Sequence, residues 1–523
     1  MLGALPNAIA PGRDMIVVEA SSPAIDAADG IWFGMSGSPV YIGGKLVGAV
    51  AFGLARGPSP VAGLTPASDL LTLAGYPAAS ARNVPEKVRL PRYLASRVAK
   101  ASGRSAAAAS SLSRLKTPLT VSGVDERGMR RVNRMIKRKR LSVLPYRGSS
   151  ARSSATASPT EIVPGGNFAA ALSYGDVTIA GIGTTSYVCD DQAVAFGHPF
   201  QFIGATAMGA NVATALGIVA DSLGGPFKLA DIGGGVGVLD QDRLAGIRAQ
   251  LGPGPGTTPI ASRIASLDTG HSRLGQTDAV LAEFLPDLAF LHVLSNLDSV
   301  FDAIGPGTSD FRWTIRGRLA NGQPWTFHHR NLYASEFDLS FESSFELADE
   351  LFAIGLFRRE GVVVDDVFLV GEAEEAVRKL DLARVLVKRK GEYRPAGLEI
   401  TARPRQLVKL RAVLRPAQIG PNLNVDFAVR MPRNLDDGVL IDIAGAPGGE
   451  ECFDEECEEA TPPTFAALLE RLRAKRRNNV LVARLLAGPL LRARGTQKRS
   501  FDQYVDGSRT IFVLPPGGGP GSF

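Results

Sequence analysis

Cysteine is nearly missing from this 523-residue chain, with only Cys189, Cys452 and Cys457. A disulfide framework cannot therefore organise the fold. Cys452 and Cys457 flank Phe453-Asp454-Glu455-Glu456, an acidic loop that they could close in an oxidising compartment. A zinc site there would need two further soft or imidazole ligands, and none is near in sequence. No run of about 18 apolar residues occurs, so no membrane-spanning helix is expected. The opening Met1-Leu2-Gly3-Ala4-Leu5-Pro6 lacks the basic segment and apolar core of an export signal. Aromatic residues are absent from the one strongly basic stretch, 127–140, which carries much of the net charge of +6. With no rings to stack on bases, nucleic acid is not an expected partner, and the stretch reads as a solvated helix or linker.

Hydrophobic residues make up 45% and charged residues 21%, an ordinary globular balance, and the length suits about three domains. The 58 glycines and 34 prolines favour short strands joined by tight turns. Residues 1–80 read as strands with turns and one helix: 16–18, 40–42 and 45–52 are apolar strands, Gly43-Gly44 is a hairpin turn, and Thr65-Pro66 opens a helix over 67–74. Residues 81–160 are Ala/Ser-rich around the basic stretch and read as a linker with one helix. Residues 161–255 return to strand chemistry, with turns expected at 189–192 and 240–242. Residues 256–377 are a mixed β-rich region. Residues 378–447 resemble a β-sandwich, from alternating runs such as 383–387 and 408–414. Residues 448–523 hold the acidic loop, an amphipathic helix over 464–477 with Phe465, Leu468, Leu469 and Leu472 on one side, and a tail.

Chemistry concentrates in Gly34-Met35-Ser36-Gly37-Ser38-Pro39. A serine hydroxyl becomes a nucleophile when a base takes its proton, and it needs donors for the developing oxyanion. Glycines on both sides permit a sharp turn that can aim the Gly34 and Ser36 N–H groups at one point. The bland alternative is a Gly-rich turn without chemistry, but a strand, a Gly-Gly turn, a second strand and a helix follow it. That order resembles the nucleophile half of chymotrypsin-like peptidases, in which the strand after the hairpin walls the substrate groove. Phe52 and Gly53 would then line the groove.

The base is expected to be His198, in Ala195-Phe196-Gly197-His198-Pro199-Phe200, where a strand gives way to a turn. The chain has only four other histidines. His271 has no apolar strand leading into it, and His292 fits the role less well. His328-His329 lies inside a strand and is at most a weak metal pair, so no metal and no cofactor are expected.

The segment Ile182-Gly183-Thr184-Thr185 … Ala195-Phe196-Gly197-His198 resembles the "GIGT … ALGH" segment of SpoIVB-type serine peptidases. Gly237-Val238-Leu239-Asp240-Gln241-Asp242 … Gly246-Ile247 resembles that family's "GTIDND … GI" hairpin, and Gly34–Pro39 matches its "GMSGSP" motif. The likeness covers about 1–75 and 165–250. It implies a mainly β chain with a trypsin-like two-barrel peptidase core, here with a C-terminal β-sandwich and a few helices. It also implies peptide-bond hydrolysis through an acyl-enzyme, with the histidine as base and then acid. Serine precedes histidine here, the reverse of the family order. The family's aspartate falls at Ser21 in this chain, leaving Asp26 as a candidate orienting carboxylate, with Asp29, Asp190 and Asp191 also near. Only 35 residues precede Ser36, so further barrel strands and an export signal are expected upstream of Met1. On that reading the protein works outside the cell or in its envelope; a true start at Met1 would make it cytoplasmic. Two functions stay open: a serine endopeptidase acting on a protein or peptide, the chain itself included, and an inactive peptidase-like binding or scaffold protein of the envelope.

Overall fold

A computed structural model describes residues 1–55, 57–76, 87–220, 225–435, 438–446, 462–488 and 492–516. Strand accounts for 50% of the described residues and helix for 19%, so the protein is mainly β. The chain divides into two compact units, 1–260 with 276–295, and 261–275 with 296–523.

The first unit opens with strands β1 (Gly3–Ala10) and β2 (Arg13–Glu19), the short helix α1 (Pro23–Ala27), β3 (Pro39–Ile42), β4 (Lys45–Leu54), β5 (Val61–Pro66) and helix α2 (Ala67–Ala74). After these come β6 (Lys87–Arg89), helix α3 (Arg92–Ser102) and β7 (Ser111–Arg114). The seven strands form one sheet in the order β1-β2-β5-β4-β7-β6, with β3 also paired to β4. Alternation drives it: Met15 and Val17 on β2 and Val61 on β5 are fully buried beside Leu94 and Val98 of α3. The expected hairpin at Gly43-Gly44 joins β3 to β4, with both glycines at positive φ as a two-residue turn requires. Helix α2 covers the expected residues, but Pro66 is its N-cap and Thr65 serves elsewhere.

A second sheet of this unit begins with β8 (Thr117–Ser122), helix α4 (Glu126–Arg138) and β9 (Val143–Arg147). It continues through β10 (Asn167–Gly175), β11 (Thr178–Cys189), β12 (Gln192–Ala195), β13 (Gly204–Val219), β14 (Phe227–Arg243) and β15 (Gly246–Leu251). Six of these pair in a ring, β10-β13-β14-β15-β12-β11 and back to β10, making a nearly closed six-strand barrel. β13 and β14 run to 16 and 17 residues, longer than the short strands expected from glycine content. The turn expected at 240–242 falls two residues later, because Asp242 is fully buried inside β14.

The expected linker over 81–160 is corrected. Its described residues supply β6 and β7 to the first sheet and β8 and β9 to the second. The basic stretch forms a helix, as expected, with Arg130, Arg134, Lys137 and Arg138 exposed on its solvated face, but its other face is buried. Arg131 is 2% exposed, sits 3.4 Å from Asp287 and lies over the Phe290 ring, while Arg138 reaches the same carboxylate at 2.5 Å. The helix carrying Asp287, Leu285–Phe301, was not expected in a mixed β-rich region. Leu288, Ala289, Phe290, Leu291, Val293 and Leu294 are all fully buried, so no polar stripe betrays its periodicity.

In the second unit, Thr258–Ser266, Gly307–Arg318, Pro324–Ser335 and Val363–Glu374 pair in one sheet. Two five-stranded sheets share an apolar cluster that includes Leu410, Leu414, Ile441, Ile443, Leu481 and Ile511. Their strands run from Lys379 to Leu514, so the sandwich boundary expected at 447 falls inside them. The apolar face of Val480–Ala487 is legible, but its partner Arg492–Ser500 is an almost wholly exposed polar edge strand. The C-terminal helix spans Phe465–Arg473 and buries the four residues named from its periodicity. The acidic loop with Cys452 and Cys457 and the last residues of the tail lie outside the described residues, and Cys189 is a free, exposed thiol. Among the described residues no helix is long and apolar enough to cross a membrane.

Asp287 sits between two arginines with 2% of its side chain exposed. Asp287→Ala should lower unfolding stability by about 3 kcal/mol, the usual cost of stranding a buried partner, measured by urea denaturation. A loss below about 1 kcal/mol would show that the pair is a surface-type contact.

Candidate functional site

Ser36 lies in the turn between α1 and β3. Its neighbour Gly37 has φ +96, and a side chain there would run into the Thr184 carbonyl and come within 2.6 Å of the Phe196 amide. Only glycine lets the turn press this close to the barrel. The Gly37 N–H donates to the Val50 carbonyl at 2.7 Å, and the Ser36 carbonyl accepts from the Thr184 N–H at 2.9 Å. The Thr184 carbonyl in turn accepts from the Phe196 N–H at 3.1 Å, and Thr184 Oγ1 donates to the Gly34 carbonyl at 3.0 Å. One residue of β11 thus joins the serine turn to the segment leading into His198.

His198 follows two residues of positive φ, Phe196 at +70 and Gly197 at +65. A positive φ is costly for a bulky aromatic residue. It is held by edge-on packing of the Phe196 ring against Phe168 and Phe200, with centroids at 6.2 and 6.0 Å. Gly197 packs on β4, where an added methyl would come within 2.9 Å of the Val50 carbonyl. Thr65 Oγ1 donates to the Gly197 carbonyl at 2.6 Å. Val50 therefore touches both turns, that of Ser36 through Gly37 and that of His198 through Gly197.

The structure brings Ser36 and His198 into neighbouring turns and buries both, at 0% and 2% exposure. His198 Nδ1 lies 2.9 Å from the Pro199 carbonyl, which only accepts. Nδ1 therefore carries the hydrogen, and Nε2 is left with its lone pair. Neither Nε2 nor Ser36 Oγ has a hydrogen-bond partner among the described residues, so the two are not bonded to each other. Burial, followed by the positive charge of Arg114, pushes the imidazole down to about 3, which keeps it neutral at physiological pH. Neither the Gly34 nor the Ser36 N–H donates to a protein acceptor among the described residues.

Asp26 lies exposed on α1, and the role proposed for it, orienting Nδ1, is taken by the Pro199 carbonyl. Phe52 and Gly53 lie buried on β4 between Gly63 and Ala62 of β5 and Arg114 and Ser113 of β7, so the groove wall expected of them is covered on both edges in the folded chain. His328 and His329 point to opposite faces of their strand and form no pair: His328 is exposed, and His329 lies 3.3 and 3.4 Å from Glu350 and Glu346, with Lys475 beside both carboxylates. His292 is buried against Thr277 Oγ1 at 2.9 Å.

Two residues passed over in the sequence support the site. The buried Asp242 carboxylate accepts the N–H groups of Phe200, Gln201 and Phe202 at 2.7–2.8 Å and so fixes the turn after His198. Burial raises its pKa, and these donors offset part of that rise. Lys228 donates to Asn167 Oδ1 at 2.8 Å and to Thr184 Oγ1 at 3.0 Å, and burial pushes it down to about 8. For Lys228 the available signal was a lysine between Phe227 and Leu229 in a strand-like run; Asp242, within the polar run Asp240–Arg243, offered none. No protein-family model, curated protein or solved structure matches this chain.

The folded His198 binds its proton near pH 3, against 6.5 for an ordinary imidazole. Between those values the unfolded chain holds a proton that the folded chain refuses. Stability is therefore full above pH 6.5 and falls toward pH 3, by up to about 1.4 kcal/mol per pH unit. His198→Asn should make the slope of unfolding stability between pH 6.5 and 4 shallower by up to that amount; an unchanged slope would mean that His198 titrates normally.

Proposed function

We propose that this protein is a serine endopeptidase with a trypsin-like two-barrel core of the SpoIVB type, in which Ser36 attacks the peptide carbonyl and His198 serves as base and then acid. The observation that carries this reading is the pair of orphaned atoms. Ser36 Oγ and His198 Nε2 are buried without partners in two turns tied together through Thr184 and Val50. Leaving a buried polar group unsatisfied costs about 1–3 kcal/mol, so two such atoms in adjoining turns suit a function better than a fold. The tautomer set by Pro199 gives His198 the lone pair that a general base requires.

In this scheme the Ser36 proton passes to Nε2 as Oγ bonds to the carbonyl carbon. The Gly34 and Ser36 N–H groups receive the oxyanion, and the imidazolium then protonates the leaving amine. A backbone carbonyl replaces the carboxylate of a triad, so the site works as a Ser–His dyad oriented by Pro199 and by the turn anchored on Asp242. The substrate is a protein or peptide, and on the family resemblance the setting is the cell envelope. A second reading, an inactive peptidase-like scaffold, is favoured by the missing Ser36–His198 hydrogen bond and the absence of a carboxylate on Nδ1.

A fluorophosphonate probe distinguishes the two. It should form a covalent adduct on Ser36 of the wild-type chain, with none on Ser36→Ala and at least about 100-fold slower labelling on His198→Ala, the usual scale of base catalysis. A wild-type chain that stays unlabelled would favour the scaffold.

A further inference from the structure

The second unit holds a cluster of imidazole and carboxylates that the Ser36 site does not use. Alternate side chains of a strand share a face, so His329, Asn331 and Tyr333 of the strand Pro324–Ser335 stand on one side of it. Trp313 lies directly opposite His329 on the neighbouring strand Gly307–Arg318. The helix Phe345–Gly355 carries Glu346 and Glu350, four residues apart and so on one side of the helix. The two periodicities bring one imidazole and two carboxylates together between sheet and helix.

One oxygen of each carboxylate is held from behind. Glu350 Oε2 accepts from Trp313 Nε1 at 2.7 Å, and Glu346 Oε2 accepts from the Tyr333 hydroxyl and from Asn331 Nδ2, both at 2.6 Å. The other oxygens turn toward His329, with Glu350 Oε1 3.3 Å from Nδ1 and Glu346 Oε1 3.4 Å from Nε2. An imidazolium bonded to both carboxylates would hold them at about 2.7–2.9 Å. Here Glu350 Oε1 and His329 Nε2 have no hydrogen-bond partner among the described residues, although Glu350 is wholly buried and the His329 side chain is 6% exposed. The Trp313 ring stacks on the imidazole at 4.9 Å and fixes its plane. Lys475 Nζ stands 3.7 and 3.9 Å from the two Oε1 atoms, beyond hydrogen-bond length, on a side chain that is 36% exposed.

Ligand atoms that converge on one point while their carboxylates are steered by outer hydrogen bonds are the arrangement by which proteins hold metal ions. One ring nitrogen of His329 and one oxygen each of Glu346 and Glu350 lie within 4.8 Å of one another. A tetrahedral ion that bonds nitrogen and oxygen at about 2.0–2.2 Å sets its ligands about 3.4 Å apart, so a small contraction closes the cluster around it. We propose that His329, Glu346 and Glu350 bind one divalent transition-metal ion of the zinc class. The imidazole selects zinc over magnesium or calcium, which prefer oxygen ligands alone. Three protein donors leave a fourth position open to water or a ligand. Lys475 is the competing cation, and its ammonium moves to solvent when the ion enters. Trp313, Asn331 and Tyr333 are positioning residues that act through the carboxylates. The site is independent of the peptidase reading, since all its residues belong to the second unit.

The test uses the full chain, stripped with EDTA and titrated with Zn²⁺ alone, with affinity read by calorimetry and bound zinc by elemental analysis. Wild type should take up one Zn²⁺ that Glu350→Gln and His329→Ala do not, and Mg²⁺ should not replace it. Tyr333→Phe should weaken binding by about 10-fold, the scale of lost outer-shell support. Lys475→Met keeps all three ligands and alters only a partly exposed side chain; it should bind Zn²⁺ more tightly than wild type and gain more thermal stability from it. Co²⁺ in place of zinc should give a visible spectrum in wild type and Lys475→Met that Glu350→Gln lacks. Zinc uptake by wild type and Lys475→Met no greater than by Glu350→Gln and His329→Ala overturns the site and leaves a closed ion network.

Discussion

Thr184 is the residue on which the site depends. Its N–H holds the Ser36 carbonyl, its carbonyl holds the Phe196 N–H, and its hydroxyl links Lys228 to the Gly34 carbonyl. Each of these bonds fixes a different part of the constellation: the Ser36 turn, the approach to His198 and the loop at Gly34. The turn can reach Thr184 only because position 37 has no side chain. A collar of hydrogen bonds of about 1 kcal/mol each thus determines whether one hydroxyl and one imidazole share a small volume.

The collar also has to hold unfavourable features. Phe196 sits at a φ that aromatic residues avoid, Lys228 is buried, and two polar atoms have no partner. Strain of this kind persists only where the surroundings over-determine it. Here they do so with the Phe168–Phe196–Phe200 packing, the three N–H donors on Asp242 and the close approach of Gly197 to Val50.

The parts of this arrangement that could be read from the sequence were local ones. Gly34–Pro39, the Gly43-Gly44 hairpin and helix α2 each depend on a few neighbouring residues with strong conformational preferences. The opposite case is 81–160, where Ala/Ser-rich composition read as linker. Two short strands there carry Val88 and Leu112, which are buried in a cluster that also draws on Leu5, Met15, Val17, Phe52 and Val61 from far earlier in the sequence. Low apolar bulk hides such strands because pairing, of β7 with β4 and of β6 with β7, and not local alternation, creates them. Asp242 was in view as part of a family-like hairpin, yet its role needed three amides brought to it from a turn 40 residues earlier.

The central claim is that His198 Nε2 accepts the proton of Ser36 Oγ. Its most direct measure is the pH dependence of the rate at which a fluorophosphonate modifies Ser36, in wild type and in His198→Ala. The account predicts a wild-type rate that rises with a single deprotonation whose midpoint lies below 6.5, the ordinary imidazole value, and a His198→Ala rate that is slow and flat over the same range. Equal rates and identical profiles for the two proteins would contradict it.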